Sequence, residues 1–141
     1  MRPHAAPPRH GFTLVELCVV MALAGLVAAA AWPSFRESLM RGRRADGIAA
    51  LQRVQMAQES FRAQHGLYAP ALRNLGSAGA PLSGDGLYRI EMQRDGADDY
   101  AVRAVPREGS AVASDTRCGV LQLVVHDALA QLRPSTRCWN Q

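Results

Sequence analysis

The chain contains no lysine: all 16 of its basic residues are arginine, set against 12 acidic ones for a formal charge of +4. Such uniformity follows from codon supply as readily as from function, so by itself it assigns no partner. Cysteine is scarce, at three residues with no CxxC pair, which excludes zinc-ribbon and thioredoxin-like sites. The four histidines, His4, His10, His65 and His126, include no two at metal-ligand spacing. No serine sits in a nucleophile signature. Neither an enzyme nor a cofactor is expected, and no metal. With 12 glycines and 8 prolines the chain is neither collagen-like nor low-complexity, and 141 residues make one modest domain.

The apolar residues, in contrast, are concentrated near the start. From Leu17 to Trp32 there are 16 consecutive residues without a charge or strongly polar group, LCVVMALAGLVAAAAW. Extended from Phe12 to Phe35 the run is 24 residues, interrupted only by Thr13, Glu16, Pro33 and Ser34. As a helix it would measure about 36 Å, enough to cross a hydrocarbon core of about 30 Å. A chain this small cannot bury a helix apolar on every side. The segment belongs in a membrane, or in an interior built from several such segments.

Ahead of it lies MRPHAAPPRHG, cationic and proline-rich, which has the look of a targeting segment. A secretory signal cleaved near Ala28–Ala31 and a permanent single-pass anchor both fit that outline. Glu16 argues against the ordinary signal. A charge near a membrane centre costs about 2.5–3.5 kcal/mol on insertion scales, less near the edge, so this carboxylate needs a compensating partner or must reach the interface.

Gly11-Phe12-Thr13-Leu14-Val15-Glu16-Leu17, with a basic leader before it and the apolar run after it, resembles the N-terminal signal of type IV pilins. The resemblance implies that a prepilin peptidase cuts between Gly11 and Phe12, removing residues 1–11, and that the new amine on Phe12 is methylated. Glu16 would then be the assembly carboxylate. A cationic amine and a carboxylate one helical turn apart can pair between neighbouring subunits stacked with an axial stagger. Paired, neither is stranded in a dry interior, and the pairing fixes register. Gly25 and Pro33 match family positions between which the helix loosens within the fibre. Chemically, Pro33 removes one helical hydrogen bond and Gly25 weakens its turn; close helix–helix contact is the other reading of Gly25.

Orientation is contested. Arg2 and Arg9 precede the span while Arg36, Arg41, Arg43 and Arg44 follow it, and the positive-inside tendency alone would put the C-terminal part in the cytoplasm. Cys118 and Cys138 in the polar part suit an oxidising compartment instead, whereas Cys18, within the apolar run, acts as a small hydrophobe. Together with the resemblance, the cysteine pair places a headgroup, residues 36–141, in the periplasm behind an inner-membrane helix, residues 12–35.

After Phe35 the helix is expected to continue to about His65. Ile48, Leu51, Val54, Ala57 and Phe61 recur at three- or four-residue intervals, and Arg43, Arg44, Gln52, Arg53, Gln58, Glu59 and Arg62 fill the other faces. Gly66 marks the stop. Leu67 to Gly86 reads as loop by composition. Tyr88, Ile90 and Met92 alternate with polar residues as in a half-buried strand. Asp95-Gly96 marks a turn, and Tyr100, Val102 and Ala104 supply a hairpin partner ended by Pro106. A third strand is expected over Gly119–Val125 and a fourth near Ala130–Arg133. The fold class is therefore α+β, a long N-terminal helix whose second half packs on an antiparallel sheet of three to four strands.

Tyr100 with Pro106, the run Asp115-Thr116-Arg117-Cys118-Gly119-Val120-Leu121-Gln122-Leu123, and Cys138-Trp139 resemble the small minor pilins of Gram-negative type IV pili. That resemblance implies a Cys118–Cys138 disulfide between the last strands and the tail. It departs at Asp127-Ala128-Leu129-Ala130, where alanine stands in place of the usual turn glycine, leaving the last hairpin in question; the long C-terminal region of many major pilins is also missing. The function implied is a minor pilin, anchored in the inner membrane by its helix and incorporated, with other pilin subunits as partners and through an inner-membrane assembly platform, into an extracellular fibre or priming its assembly. Two alternatives share the N-terminal signal. A competence-type pilin would bind DNA through Arg73, Arg89, Arg94, Arg103, Arg107, Arg117, Arg133 and Arg137, although leader removal leaves 14 basic against 12 acidic residues. A pseudopilin of type II secretion is disfavoured by the cysteine pair, and no calcium-ligand cluster of the kind major pseudopilins resemble is evident.

Overall fold

The computed structural model describes residues 12–140, so Gly11 and the rest of the leader lie outside the described residues. One helix, α1 (Leu14–His65), is followed by a 3₁₀ segment (Leu72–Gly79), four strands, β1 (Tyr88–Arg94), β2 (Tyr100–Pro106), β3 (Leu121–His126) and β4 (Leu129–Arg133), and a short 3₁₀ turn (Thr136–Trp139). The chain divides into two units, with the boundary between Arg36 and Glu37.

The described part of the first unit is helix alone. Its large apolar side chains, among them Phe12, Leu14, Met21, Leu26, Val27 and Trp32, are all exposed, and by length and composition it is sufficient to cross a membrane. Thr13 caps it: its Oγ1 accepts from the Glu16 amide at 3.2 Å, satisfying one of the donors a helix start leaves unpaired. Regular winding continues through Gly25 and Pro33, and the Ser34 hydroxyl donates back to the Ala31 carbonyl at 2.9 Å.

The second unit holds the core. Four antiparallel strands lie in the order β1-β2-β3-β4, each next to its sequence neighbour. Alternation sends Tyr88 and Ile90, Tyr100, Val102 and Ala104, and Leu121, Leu123 and Val125 inward, where they form one cluster with Ile48, Ala50, Leu51 and Val54 of α1. At Gly47 a Cβ would sit 2.9 Å from the Tyr88 ring. This glycine lowers helix propensity and in return lets an aromatic ring close on the helix. Gly66, at φ 76°, ends α1 with its amide bonded to the Arg62 carbonyl, as a left-handed C-cap requires.

Three local expectations need correction. Arg44 and Gln58, assigned to outward faces, are buried. Gln58 clips the chain after the helix: its Oε1 accepts from the Ala69 amide at 2.8 Å and its Nε2 donates to the Ala69 carbonyl at 3.2 Å, so a buried amide is fully used. Residues 67–86 are not all loop: the 3₁₀ segment, broken at Gly76, packs Leu72 and Leu75 on the core. The third strand begins at Leu121 rather than Gly119, because Gly119, at φ 48°, is tied into a turn by its amide bond to the Asp115 carbonyl. The last hairpin forms without its glycine: His126 pairs with Leu129, and Asp127 and Ala128 both adopt positive φ, 49° and 64°. A two-residue hairpin turn of type I′ demands that sign at both positions. Asp tolerates it and Ala does so at a cost of about 1–2 kcal/mol. The Asp127 amide, donating to Asp99 Oδ1 at 3.1 Å, helps to hold the turn.

Candidate assembly segment and sheet-face interface

Phe12 is the first described residue and 85% exposed. Glu16 lies in the first turn of α1, where a negative charge suits the helix dipole, and its carboxylate has no hydrogen-bond or ion-pair partner among the described residues. Thr13 and Glu16 have the spacing of a capping box, a local pattern that accounts for the threonine but leaves the acid unengaged. Cys18 is exposed on the same helix.

In the headgroup, Cys118 and Cys138 are joined by a disulfide, with Cα atoms 5.6 Å apart. The loop that carries Cys118 is fastened to α1 by a charge cluster. Arg44 Nε donates to Asp115 Oδ2 at 2.6 Å and Nη2 to Oδ1 at 3.1 Å, a two-pronged contact with both side chains almost wholly buried. Asp115 Oδ1 also accepts from the Cys118 amide at 3.3 Å. Burial pushes the Asp115 carboxyl up, but the Arg44 guanidinium and the Cys118 and Arg117 amides outweigh it and hold the group below its ordinary value. Glu37 completes the cluster, accepting from Arg44 at 3.2 Å and from Arg117 at 3.3 Å. At the far side of the disulfide, Trp139 Nε1 donates to the Arg133 carbonyl at 2.9 Å. Nothing local marks Arg44 as buried, since its partner lies 71 residues away.

The outer sheet face is polar. Register aligns Glu91, Arg103, Gln122 and Arg133 in one row across the four strands, with Gln93, Ala101, Val124 and Gln131 in the next. Gln93, Gln122, Gln131 and Arg133 line a depression of about 490 Å³. Of the arginines considered for DNA, Arg103 and Arg133 are exposed there, and Arg89, two positions before Glu91 on β1, is paired with it at 3.0 Å. The others lie elsewhere. Arg94 donates to the Tyr68 carbonyl, Arg107 to the Gly86 carbonyl and Arg117 to Glu37, while Arg73 is on the 3₁₀ segment and Arg137 in the C-terminal turn. At one end of the depression His126 Nδ1 lies 2.8 Å from Asp99 Oδ2 and its Nε2 lies 3.4 Å from Asp127 Oδ2. No local pattern gives His126 these partners, because Asp99 reaches it only through the β2–β3 pairing and Asp127 only through the turn into β4.

Residues 33–122 match the family described as "Type IV minor pilin ComP, DNA uptake sequence receptor", and residues 7–32 match the prokaryotic N-terminal methylation motif. The chain is 33% identical over 72 residues to a type IV major pilin protein PilA of Myxococcus xanthus, covering 51% of this chain and 33% of that one. It is 29% identical over 83 residues to a type IV major pilin protein PilE1 of Neisseria gonorrhoeae, covering 59% and 50% respectively, and a second PilE1 of that organism matches equally well over 46% of its length. The chain thus spans between a third and a half of the length of these curated relatives. That family is one of structural subunits rather than enzymes. A helix apolar on every side, a four-stranded antiparallel headgroup and a family match over more than half the sequence lead to one conclusion: the chain belongs to the minor type IV pilins.

Proposed function

We propose that the chain is processed between Gly11 and Phe12, methylated at Phe12, held in the inner membrane by residues 12–35 with residues 36–141 in the periplasm, and then incorporated into a type IV pilus. One observation carries this reading: the exposed apolar stretch of α1, up to Phe35, bears a single carboxylate, Glu16, with no partner among the described residues. The prepilin peptidase, the inner-membrane assembly platform and neighbouring pilins are the partners it requires. A newly exposed Phe12 amine on an adjacent subunit is the charge that matches Glu16, and pairing sets the axial register. Gly25 and Pro33 give the helix two weak points between which winding can relax as subunits pack. The Cys118–Cys138 disulfide fits the oxidising periplasm. Sheared fibres should contain the chain; fibres that lack it in a strain expressing it at normal membrane levels contradict incorporation.

A second reading is favoured by the description of the matching family and by the sheet face. Arg103 and Arg133 flank Gln122, with Gln131 and Gln93 beside them. Arginine serves phosphates and guanine edges, and glutamine reads adenine edges. In this reading the outer face of the sheet contacts DNA. With full-length protein in detergent micelles, DNA should be retarded in a salt-sensitive manner. The double variant Arg103→Ala, Arg133→Ala should flatten the salt dependence by about 0.9 in log–log slope for each phosphate it no longer neutralises. Retardation that this variant leaves unchanged would remove the sheet face from consideration.

A further inference from the structure

We propose that His126 and Asp127, with Asp99 behind the imidazole, form a binding site for a transition-metal dication of the zinc class at the β3–β4 turn. One potential ligand atom from each residue lies within 4.8 Å of the others. Asp99 is engaged twice over, accepting from the Asp127 amide through Oδ1 at 3.1 Å and facing His126 Nδ1 through Oδ2 at 2.8 Å. In the neutral ring, the second contact favours the proton on Nδ1 and leaves Nε2 with a free lone pair. That lone pair faces Asp127 Oδ2 at 3.4 Å. A lone pair and a carboxylate held face to face call for a cation between them, either a proton on the ring or a metal ion.

The spacing fits a metal. With metal–nitrogen and metal–oxygen distances of about 2.0–2.2 Å, two ligands at a tetrahedral angle stand about 3.4 Å apart. Asp99 behind the ring completes the carboxylate–imidazole arrangement that orients metal-bound histidine. An imidazole with carboxylates suits zinc-class ions over calcium or magnesium, which take all-oxygen shells. His126 and Asp127 are both exposed, so water can fill the remaining positions. The proton is the competing cation: Asp99 first, then Asp127, raises the affinity of His126 for it.

Calorimetric titration of the full chain in detergent micelles with zinc chloride at pH 7.5 tests the assignment. Because His4, His10 and His65 are further potential ligands, the readout is the difference between variants. His126→Ala and Asp127→Asn should each reduce the stoichiometry by one micromolar-range zinc, and Asp99→Asn should weaken that zinc by about 10–100-fold. Asp127→Asn alters only an exposed side chain, so the comparison stands even if His126→Ala disturbs the hairpin. Isotherms that are the same for the wild type and both ligand variants, or no zinc uptake at all, would overturn the proposal and leave the cluster as a proton site only.

Discussion

Replacing Arg44 with alanine is expected to destabilise the headgroup by about 3–5 kcal/mol, the usual result of removing one partner from a buried ion pair. The size follows from what is left behind. Asp115 would lose both hydrogen bonds from the guanidinium, at 2.6 and 3.1 Å, and keep the Cys118 amide while remaining almost wholly inaccessible to water. Glu37 would lose its bond from the same guanidinium and retain Arg117. Denaturant unfolding of the full chain in detergent, followed by near-ultraviolet circular dichroism, measures the loss. A change below about 1 kcal/mol, the range of exposed pairs, would mean the cluster is wetter than its burial indicates. The same pair sets a response to acid. Because Asp115 is held below its ordinary value in the folded state, its contribution is complete above the unfolded pKa of about 3.9 and is lost as pH falls below that toward the folded value. Arg44→Ala should therefore lessen the fall in stability below about pH 4.

Glu16→Ala is the second large effect, and it concerns assembly rather than folding. The substitution removes an exposed carboxylate from an exposed helix, so the protein should accumulate in the membrane and be processed normally. In a fibre, however, the amine on the neighbouring Phe12 would lie in a dry interior without a partner, at a cost of several kcal/mol. Each 1.4 kcal/mol is a factor of ten in an equilibrium. Its share in sheared fibres should fall at least about tenfold. Glu16→Gln should behave in the same way, because it keeps shape and loses charge. Normal abundance of either variant in fibres would show that incorporation does not depend on this carboxylate.

How much of the structure is legible in the sequence differs with the range of the interactions. The long helix, the first hairpin and the inward-facing Tyr88, Ile90, Tyr100, Val102 and Ala104 follow from periodicity, a local property of the chain. Local pattern fails where tertiary partners decide. Arg44 and Gln58 look like surface residues on a helical wheel and are buried because Asp115 and the Ala69 backbone satisfy them from 71 and 11 residues away. The Asp127-Ala128 turn contradicts residue preference and is held in part by Asp99, 28 positions earlier. The outer-face row of Arg103, Gln122 and Arg133 exists only once strand register is known. Glu16 is the reverse case: its position in the apolar run is plain from the sequence, and the headgroup adds nothing to it.

The central claim is that a lipid-stored apolar helix, beginning at Phe12 and still attached to its headgroup, is the part that enters the fibre. Intact-mass and N-terminal peptide mass spectrometry of the protein recovered from membranes and from sheared pili measures this directly. The expected product begins at Phe12 with one methyl group on its amine, retains Glu16, and is two hydrogens lighter for the Cys118–Cys138 bond. A product that begins near Trp32, without the helix, contradicts the claim.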